Sequence, residues 1–551
     1  MKKYIKINAI IFLLVVSFFN LKAQEQITIN IQEKGEDFEP YWSKCVGAGR
    51  ANEALRAGWL EQLEVVQENC GFEYVRFHGL FHDDMFPVFE GRNGKIIYNW
   101  QYIDDVFDRM LDLKVKPFVE LGFFPKLLAA ENSKTVFKWW KANVTPKEES
   151  FTMFHDLVKA FTQHCVDRYG IDEVLTWYFE VWNEPNLYPH FWDGTKSQYF
   201  ELYKQSAIAV KSIDKRLRVG GPSTSNFVPD TRFDGELTNN EVSEAVFNSD
   251  DINGLEWHGV WIEDFLKFCN KENLPVDFVT THPYPTDYAF NPETGKGRGL
   301  TRFVQSTKLD LEWLNRIIKN SPYPNAEIHL TEWNTSPSSR DKMHDLLPAA
   351  AYIVKTNLDC IGLTNSLAFW TFTDIFEEKG GAASIFHGGF GMINFQGLVK
   401  PSYHAYRMLN QLGNEKLYKD DYLFISKDSG NGKVKALAYN YPKEAENAAP
   451  AGYKSYEYLS KGTSKELNFT LTNLKPGTQF KIEVLDKDHG NIHSYWESMG
   501  KPEPPTREQI KVMKRVASNL KTNIVSTGKN GELSFKQEIA PWSVILIEQI
   551  N

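Results

Sequence analysis

Short apolar stretches alternate with longer amphipathic stretches over most of the chain, and this alternation limits the folds open to it. The amphipathic runs, which have helical spacing, cover residues 54–68, 103–113, 151–169, 198–213, 260–272, 301–319 and 346–359. The strand candidates are 42–47, 74–78, 117–122, 177–184, 218–221, 278–282, 328–332 and 366–373. Strands that alternate with helices indicate parallel βα units. Eight such strands predict a single α/β domain, a (β/α)₈ TIM barrel.

The pattern becomes all-β after residue 406. Short strand candidates are separated by Gly, Pro and Asn turns, with one helix near 506–518; they cover 422–425, 434–441, 467–471, 480–485 and 543–547. This predicts a C-terminal β-sandwich domain over 406–551 and a barrel over 41–405. We favour a structural role for the sandwich over carbohydrate binding. Residues 26–32, within the segment 24–40, alternate apolar and polar and indicate a half-buried strand.

The first residues have the pattern of an export signal. A basic start precedes the apolar run 10–19 and the small residue Ala23. We expect a signal peptide over 1–23 that is cleaved after Ala23, and therefore an exported chain, periplasmic or secreted. The apolar run is short for a membrane anchor, the alternative.

Composition excludes some classes of partner. The formal net charge is −9 and the isoelectric point about 5.9, and no basic run suggests nucleic acid or an anionic membrane surface. The five cysteines are scattered, without metal-ligand spacing. We interpret them as buried thiols, although disulfides remain open.

Two glutamates end predicted strands in similar surroundings. Glu184 and Glu332 each lie beside Asn and Trp, and they are too far apart for one hairpin. They suit the fourth and seventh strands of a barrel, where catalytic residues come from the carboxyl ends of several strands. A single strand-end glutamate is usually solvated. Two carboxylates among aromatic rings are what glycoside hydrolysis requires.

Three motifs in this order resemble glycoside hydrolase family 39, which holds β-xylosidases and α-L-iduronidases. They are Trp-Asn-Glu-Pro-Asn-Leu at 182–187, Leu-Thr-Glu-Trp-Asn at 330–334 and Phe-His-Gly-Gly-Phe-Gly at 386–391. The resemblance implies a retaining hydrolase that acts by double displacement through a covalent glycosyl-enzyme intermediate. It implies Glu184 as acid/base and Glu332 as nucleophile. It also implies that the segment 24–40 joins the sandwich.

The resemblance further implies a sugar-binding pocket. Its expected residues are Asn183, His78, His282, Tyr284, Trp370, Phe124 and Glu378, with Glu377 as an alternative to the last. Asn183 would donate to the sugar 2-hydroxyl, and Tyr284 would orient Glu332. Trp370 would form the stacking floor and Phe124 an apolar wall. Arg76 lies on the same side of its strand as His78, and we expect it to support Glu332 from below.

The sugar itself is left open by the residues. A β-D-xyloside and an α-L-iduronide differ at C5, where iduronate adds a carboxylate, so a cation aimed at C5 would separate them. Lys296, Arg298 and Arg340 are loop candidates, but loop cations are usually solvated. We favour cleavage of terminal β-D-xylosyl bonds, with an α-L-iduronidase-like or other family 39 specificity as the alternative. A segment, 335–338, also departs from the xylosidase pattern, which has a Tyr there.

Other classes remain as alternatives. A catalytically inactive carbohydrate-binding protein would not need both glutamates, and a transglycosylase would use the same residues as a hydrolase. We expect no cofactor and no metal, because His78, His82 and His282 lack zinc-like spacing with a third ligand.

Overall fold

The computed structural model describes residues 27–225, 259, 261–290, 297–452 and 455–551. The expected signal peptide lies outside these residues, as do Lys296 and the side chain of Arg298. No helix within the described ranges is both long and apolar enough to cross a membrane.

Eight parallel strands close into a barrel, in chain order. They are Cys45–Arg50, Tyr74–His78, Lys116–Leu121, Tyr178–Val181, Arg218–Ser225, Phe278–His282, Glu327–Trp333 and Ser366–Phe369. The barrel helices are Ala57–Cys70, Gln101–Asp112, Ser150–Tyr169, Lys196–Ile213, Ile262–Lys271, Ser306–Lys319, Leu347–Asp359 and Pro401–Asn410. Phe369 pairs with Val46 and closes the barrel. The predicted (β/α)₈ fold is confirmed, and every predicted strand overlaps an observed one.

Aromatic side chains fill the lower end of the barrel. The Phe118 and Tyr178 rings stack with centroids 4.7 Å apart, and Phe278 meets both edge-on. The Tyr178 hydroxyl donates to Glu327 at 2.7 Å, and the Arg218 guanidinium lies 3.6 Å from the Tyr178 ring centroid. This packed layer leaves the upper, carboxyl end of the strands as the place for a pocket.

Two further sheets form the predicted β-sandwich. The seven-stranded sheet has the order Glu36–Asp37, Glu415–Lys419, Leu423–Lys427, Val434–Tyr439, Val544–Gln549, Gln479–Leu485 and Lys521–Ser526. The three-stranded sheet has the order Ile27–Asn30, Lys465–Thr472 and Leu533–Ile539. Ile27 pairs in parallel with Phe469, so the first described residues lie in the second sheet. Helices Ile492–Ser498 and Arg507–Ala517 connect sandwich strands.

The sequence pattern did not predict four sandwich strands, Glu36–Asp37, Glu415–Lys419, Lys521–Ser526 and Leu533–Ile539. Lys521–Ser526 is almost wholly exposed and ends the seven-stranded sheet, where charged residues discourage pairing between molecules. Glu415–Lys419 and Leu533–Ile539 also carry charged side chains.

Both faces of the seven-stranded sheet are buried at its central strands. Leu437 and Leu546 belong to one apolar cluster with the barrel, whereas Ile545 and Ile547 pack with the three-stranded sheet. Alternating side chains of one strand therefore enter two different cores. This explains why residues 544–547 are uniformly apolar.

Small hairpins and short helices lie in the loops between the main elements. The hairpin strands are Val88–Glu90 with Ile96–Tyr98, Thr135–Val136 with Ala142–Asn143, and Thr286–Phe290 with Gly297–Thr301. The short α-helices are Ile171–Val174 and Ser455–Leu459.

Candidate active site

Glu184 reaches the pocket from a turn that follows the fourth strand. Trp182 and Glu184 have positive φ angles of 71° and 47°, a conformation that is costly for residues other than glycine. The Glu184 N–H donates to the Ser223 carbonyl at 2.8 Å. Asn186 exchanges two hydrogen bonds with the main chain of Ser225. The fifth strand therefore holds the turn that presents Glu184.

A β-bulge in the seventh strand directs two successive side chains into the barrel. The pairing register with the eighth strand shifts after Leu330. Thr331 and Glu332 therefore oppose one residue of that strand, Ala368. Neighbours on a regular strand point to opposite faces. Here the Thr331 hydroxyl donates to Glu180 at 2.7 Å while Glu332 also enters the pocket, where it is 5% exposed.

Arg76 lies fully buried beneath the two glutamates and connects the carboxylates of the barrel. Its Nη1 donates to Glu332 Oε1 at 2.5 Å, and its Nε donates to Glu180 at 2.8 Å. Its Nη2 donates to the Asn183 side-chain oxygen at 2.7 Å and lies 2.9 Å from Glu120. A buried guanidinium needs such partners, and each carboxylate here needs the cation. The structure thus places Arg76 directly against Glu332.

The Glu184 and Glu332 carboxylates face each other. One oxygen of each, with a His282 ring nitrogen, lies within 4.8 Å of the others. His282 Nδ1 is 3.1 Å from Glu184. The Tyr284 hydroxyl donates to Glu332 Oε2 at 3.1 Å. Carboxyls this close allow direct attack on a sugar carbon, whereas inverting enzymes hold them about 6.5 to 9.5 Å apart.

The two carboxyls differ in acidity. Burial raises the pKa of Glu184 well above its ordinary value, and the charge of Glu332 raises it further. Burial also raises the pKa of Glu332, but the adjacent Arg76 guanidinium opposes that rise. The first proton taken up therefore belongs to Glu184. The pair is suited to one protonated and one ionised member.

His78 and Trp370 form one side of the pocket. Their ring centroids are 4.8 Å apart, and His78 Nδ1 contacts Glu120 at 2.6 Å. Burial lowers the pKa of His78 to about 3, so the imidazole is neutral. Glu378 Oε1 lies 3.7 Å from His78 Nε2, which brings Glu378 into the pocket. Glu377 instead pairs with Arg50 and Arg56.

Phe124 does not face these groups. Its buried ring packs against Phe154, Trp182 and Trp192, behind the pocket. The neighbouring Phe123 and the loop residue Phe137 contact the His78 ring instead, at 6.0 and 5.6 Å. The expectation that Phe124 forms the wall is therefore corrected: the Phe124 main chain pairs with Asn143, and its ring lies in the aromatic cluster with Trp182.

Of the three candidate loop cations, only Arg340 has a described side chain. Arg340 donates to the carbonyl groups of Ser339 and Gly380 at 2.6 and 2.9 Å, which ties two loops together. The trio Glu184, His282 and Glu332 has the spacing of a metal site. A metal ion there would lie beside the Arg76 guanidinium, where like charges repel.

Glu120 and Glu180 are site residues that the sequence interpretation missed. Both side chains are 1% exposed or less, and both contact Arg76. A signal was present, because each is a charged residue inside an apolar strand candidate. A buried charge requires a partner of opposite charge, so a compensating cation could have been inferred.

Comparisons with known proteins agree with this geometry. The model of glycosyl hydrolases family 39 matches residues 25–243 and 255–534. A β-xylosidase of Caldicellulosiruptor saccharolyticus is 35% identical, with 95% of this chain and 98% of that protein covered. A β-xylosidase of Geobacillus stearothermophilus is 34% identical, with 88% of each covered. The solved GH39 enzyme from Xanthomonas axonopodis pv. citri superposes with a TM-score of 0.81 at 29% identity and covers 96% of this chain and 97% of its own. The chain belongs to glycosyl hydrolases family 39.

Proposed function

We propose that this chain is a retaining glycosidase that removes terminal β-D-xylosyl groups. The observation that carries the proposal is the buried pair Glu184 and Glu332, which have one oxygen each within 4.8 Å of the other. The Arg76 guanidinium donates a hydrogen bond to Glu332 and not to Glu184. The two β-xylosidases that are similar to this chain over most of its length support a β-D-xyloside as the substrate.

The first step is attack on the anomeric carbon. Ionised Glu332 forms a bond to C1 while the bond from C1 to the leaving oxygen breaks, and Glu184 transfers its proton to that oxygen. Tyr284 and Arg76 each hydrogen-bond one oxygen of Glu332, so the nucleophile is oriented before the sugar arrives.

The second step releases the sugar. Once Glu332 is esterified its negative charge is gone, and the pKa of Glu184 falls as that charge disappears. Glu184, now ionised, removes a proton from water, which attacks C1 and restores Glu332. One carboxyl thus serves as acid and then as base because its neighbour changes charge.

Asn183 is placed to bind the sugar. Its side-chain oxygen accepts from Arg76, which orients the amide. Its Nδ2 is buried and has no hydrogen-bond partner among the described residues. A buried donor without a partner is costly, and a sugar 2-hydroxyl beside Glu332 would satisfy it. Trp370 supplies the apolar platform for the ring.

A neutral sugar suits this pocket better than a uronate. Glu332 and Glu378 both face it, and burial raises the pKa of Glu378 well above its ordinary value. Arg76 is occupied by carboxylates, and Arg340 by main-chain carbonyl groups. A substrate carboxylate would meet carboxyls without a described cation to pair with, so an α-L-iduronide is disfavoured.

The test is release of nitrophenol from 4-nitrophenyl β-D-xylopyranoside by the purified chain and by Glu332→Ala. We expect activity that falls at least about 10³-fold in the variant, because the covalent step is lost. If the wild type is inert on this xyloside but active on an α-L-iduronide, the proposed substrate specificity is wrong. Inertness on every glycoside would favour a carbohydrate-binding protein.

We also propose that the chain is exported. The support is the basic and apolar start with its small residue Ala23. Expression in a bacterial host should give a chain that begins at Gln24, measured by intact mass. A chain that keeps residues 1–23 would argue against cleavage.

A further inference from the structure

A second cavity lies outside the catalytic pocket, between the loop that follows the eighth strand and the C-terminal region. Its volume is about 360 Å³, within the usual size of a small-molecule site. Phe376 and Glu377 belong to its lining. The Phe376 ring contacts Trp370 edge-on at 6.1 Å. The cavity therefore shares a wall with the catalytic pocket.

The cavity has an exposed aromatic ring at its rim. Phe395 is 61% exposed although it is large and apolar, and it belongs to the lining. Trp139, also 61% exposed, lies directly against the lining residue Gly380, where an added Cβ would fall 2.0 Å from the indole nitrogen. Exposed rings beside a polar cavity offer flat apolar platforms for one face of a ligand.

The carboxylates on the polar side of the cavity already have ion-pair or hydrogen-bond partners. Asp374 pairs with Lys400 at 2.7 Å. Glu503 accepts from the Ser384 hydroxyl at 2.9 Å and from the Ile385 N–H at 3.1 Å. Glu377, as described, is paired with two arginines. An anion would meet three carboxylates, and a metal ion would have to displace the existing cations, so neither fits.

One buried acceptor in the lining still lacks a donor. Gln396 Oε1 is buried and has no hydrogen-bond partner in the part of the chain that the structure describes. Such an orphan costs free energy unless a ligand or water donates to it. A ligand that supplies hydroxyl donors to Gln396 and to the carboxylates, and an apolar face to Phe395, would satisfy the site.

We propose that this cavity is a second carbohydrate-binding site, which takes a neutral pyranose of an oligosaccharide. A pyranose offers hydroxyl donors around its edge and an apolar C–H face. The hydroxyl groups would donate to the acceptors of the lining, and the apolar face would stack on Phe395. The choice of a xylo-oligosaccharide as ligand rests on the proposed xylosidase function. The site binds another part of the oligosaccharide next to Phe376, on the far side of Trp370 from the catalytic pocket. It thereby keeps the enzyme bound to a polymeric substrate.

The test separates this site from the catalytic pocket by blocking the latter. A 2-deoxy-2-fluoro-β-D-xyloside with a good leaving group forms a slowly hydrolysed ester with Glu332, and intact mass reports the labelling. Xylotriose is then titrated into the blocked enzyme by calorimetry. We expect one remaining site. Phe395→Ala should weaken its affinity about tenfold, because a stacked ring is lost.

Controls decide among the outcomes. Phe89 is another exposed phenylalanine, at 46% exposure on a hairpin outside the cavity lining. Phe89→Ala should bind as the wild type. Trigalacturonic acid, which is anionic, should not bind. Phe395→Ala should hydrolyse 4-nitrophenyl β-D-xylopyranoside at the wild-type rate. Absence of binding to the blocked enzyme, or equal binding by Phe395→Ala, overturns the second site.

Failure of the proposed function gives a different result. Without labelling of Glu332, the xylosidase function fails while the cavity remains testable. Phe395→Ala and Phe89→Ala are then compared in unblocked enzyme with xylotriose and with cello- and manno-trisaccharides. Equal binding by the two variants to every trisaccharide overturns the second site in that case.

Discussion

At the scale of single residues, the two glutamates acquire different charges because Arg76 hydrogen-bonds only one of them. The guanidinium contacts Glu332 Oε1, whereas Glu184 contacts the His282 ring. Burial lowers the pKa of His282 well below its ordinary value, so this ring is neutral and leaves the proton on Glu184. A difference in neighbours, not in residue type, thus assigns acid and nucleophile.

The role of Glu184 can be tested through the leaving group. Glu184→Gln keeps the shape but cannot give a proton. For xylobiose, kcat/KM should fall about 10²- to 10⁴-fold. For 4-nitrophenyl β-D-xylopyranoside the fall should be much smaller, because nitrophenolate leaves without a proton. Initial rates on both substrates measure this, with Glu64→Gln on an exposed helix face as control. Equal losses on both would contradict the acid role.

The role of Arg76 can be tested through the pH profile. Arg76 lowers the pKa of Glu332, and Glu332 must be ionised to attack. Loss of the cation in Arg76→Gln should therefore move the acid limb of kcat/KM upward by about 1 to 3 pH units. Arg76→Lys keeps the charge and should stay nearer to the wild type. The measurement is the pH profile of kcat/KM for each folded variant. An unmoved acid limb in Arg76→Gln would show that the Arg76 charge does not set the pKa of Glu332.

At the scale of elements, the pocket depends on where strands stop being regular. The fourth strand ends in a turn with positive φ angles, and the seventh contains a bulge. The first strand contributes Gly47, where an added Cβ would lie 2.4 Å from Trp370 Cε3. Absence of a side chain at Gly47 lets the Trp370 indole lie against the strand. The platform for the sugar is therefore shaped by a gap in the facing strand.

Gly47→Ala should displace Trp370. Overpacking of this kind costs about 1 to 3 kcal/mol in the free energy of unfolding, and the displaced indole should raise KM for the xyloside. Urea unfolding and steady-state kinetics measure the two effects. Gly58→Ala is the matched control, since its Cβ would meet only Ile375 at 3.5 Å. If Gly47→Ala binds and unfolds as the wild type, the close approach to Trp370 has no consequence.

At the scale of the whole molecule, the sandwich and the barrel share a core. One face of the seven-stranded sheet packs in the barrel cluster and the other against the three-stranded sheet. All five cysteines are buried and unpaired, so no disulfide links these parts. Stability of the molecule therefore depends on apolar packing across the sheet.

Leu546→Ala tests this shared core. Leu546 is fully buried on the barrel side of the sheet, so its truncation should cost about 2 to 5 kcal/mol. The exposed Ile524→Ala, at 55% exposure, should change the free energy of unfolding by no more than about 0.5 kcal/mol. Urea unfolding should show one transition by fluorescence and by circular dichroism. Two separate transitions would mean that sandwich and barrel unfold independently.

Much of the fold could be inferred before the structure, since strands and helices follow local periodicity. The strand 74–78 was predicted with its observed bounds, and so was 278–282. The ends of the first and fourth strands were misplaced, because bulges and turns depend on partners elsewhere in the chain. The polar edge strand Lys521–Ser526 was missed because hydrogen bonds to a neighbour, not an apolar pattern, make it a strand.

The two glutamates, their Asn and Trp neighbours and the eight-strand pattern could be identified from the sequence alone, because motifs and periodicity are local properties. Folding decided which side chains meet. It brought Arg76 against Glu332, turned Phe123 rather than Phe124 toward His78, and left Asn183 Nδ2 without a partner among the described residues. Those contacts join residues far apart in sequence, and only the closure of the barrel sets their distances.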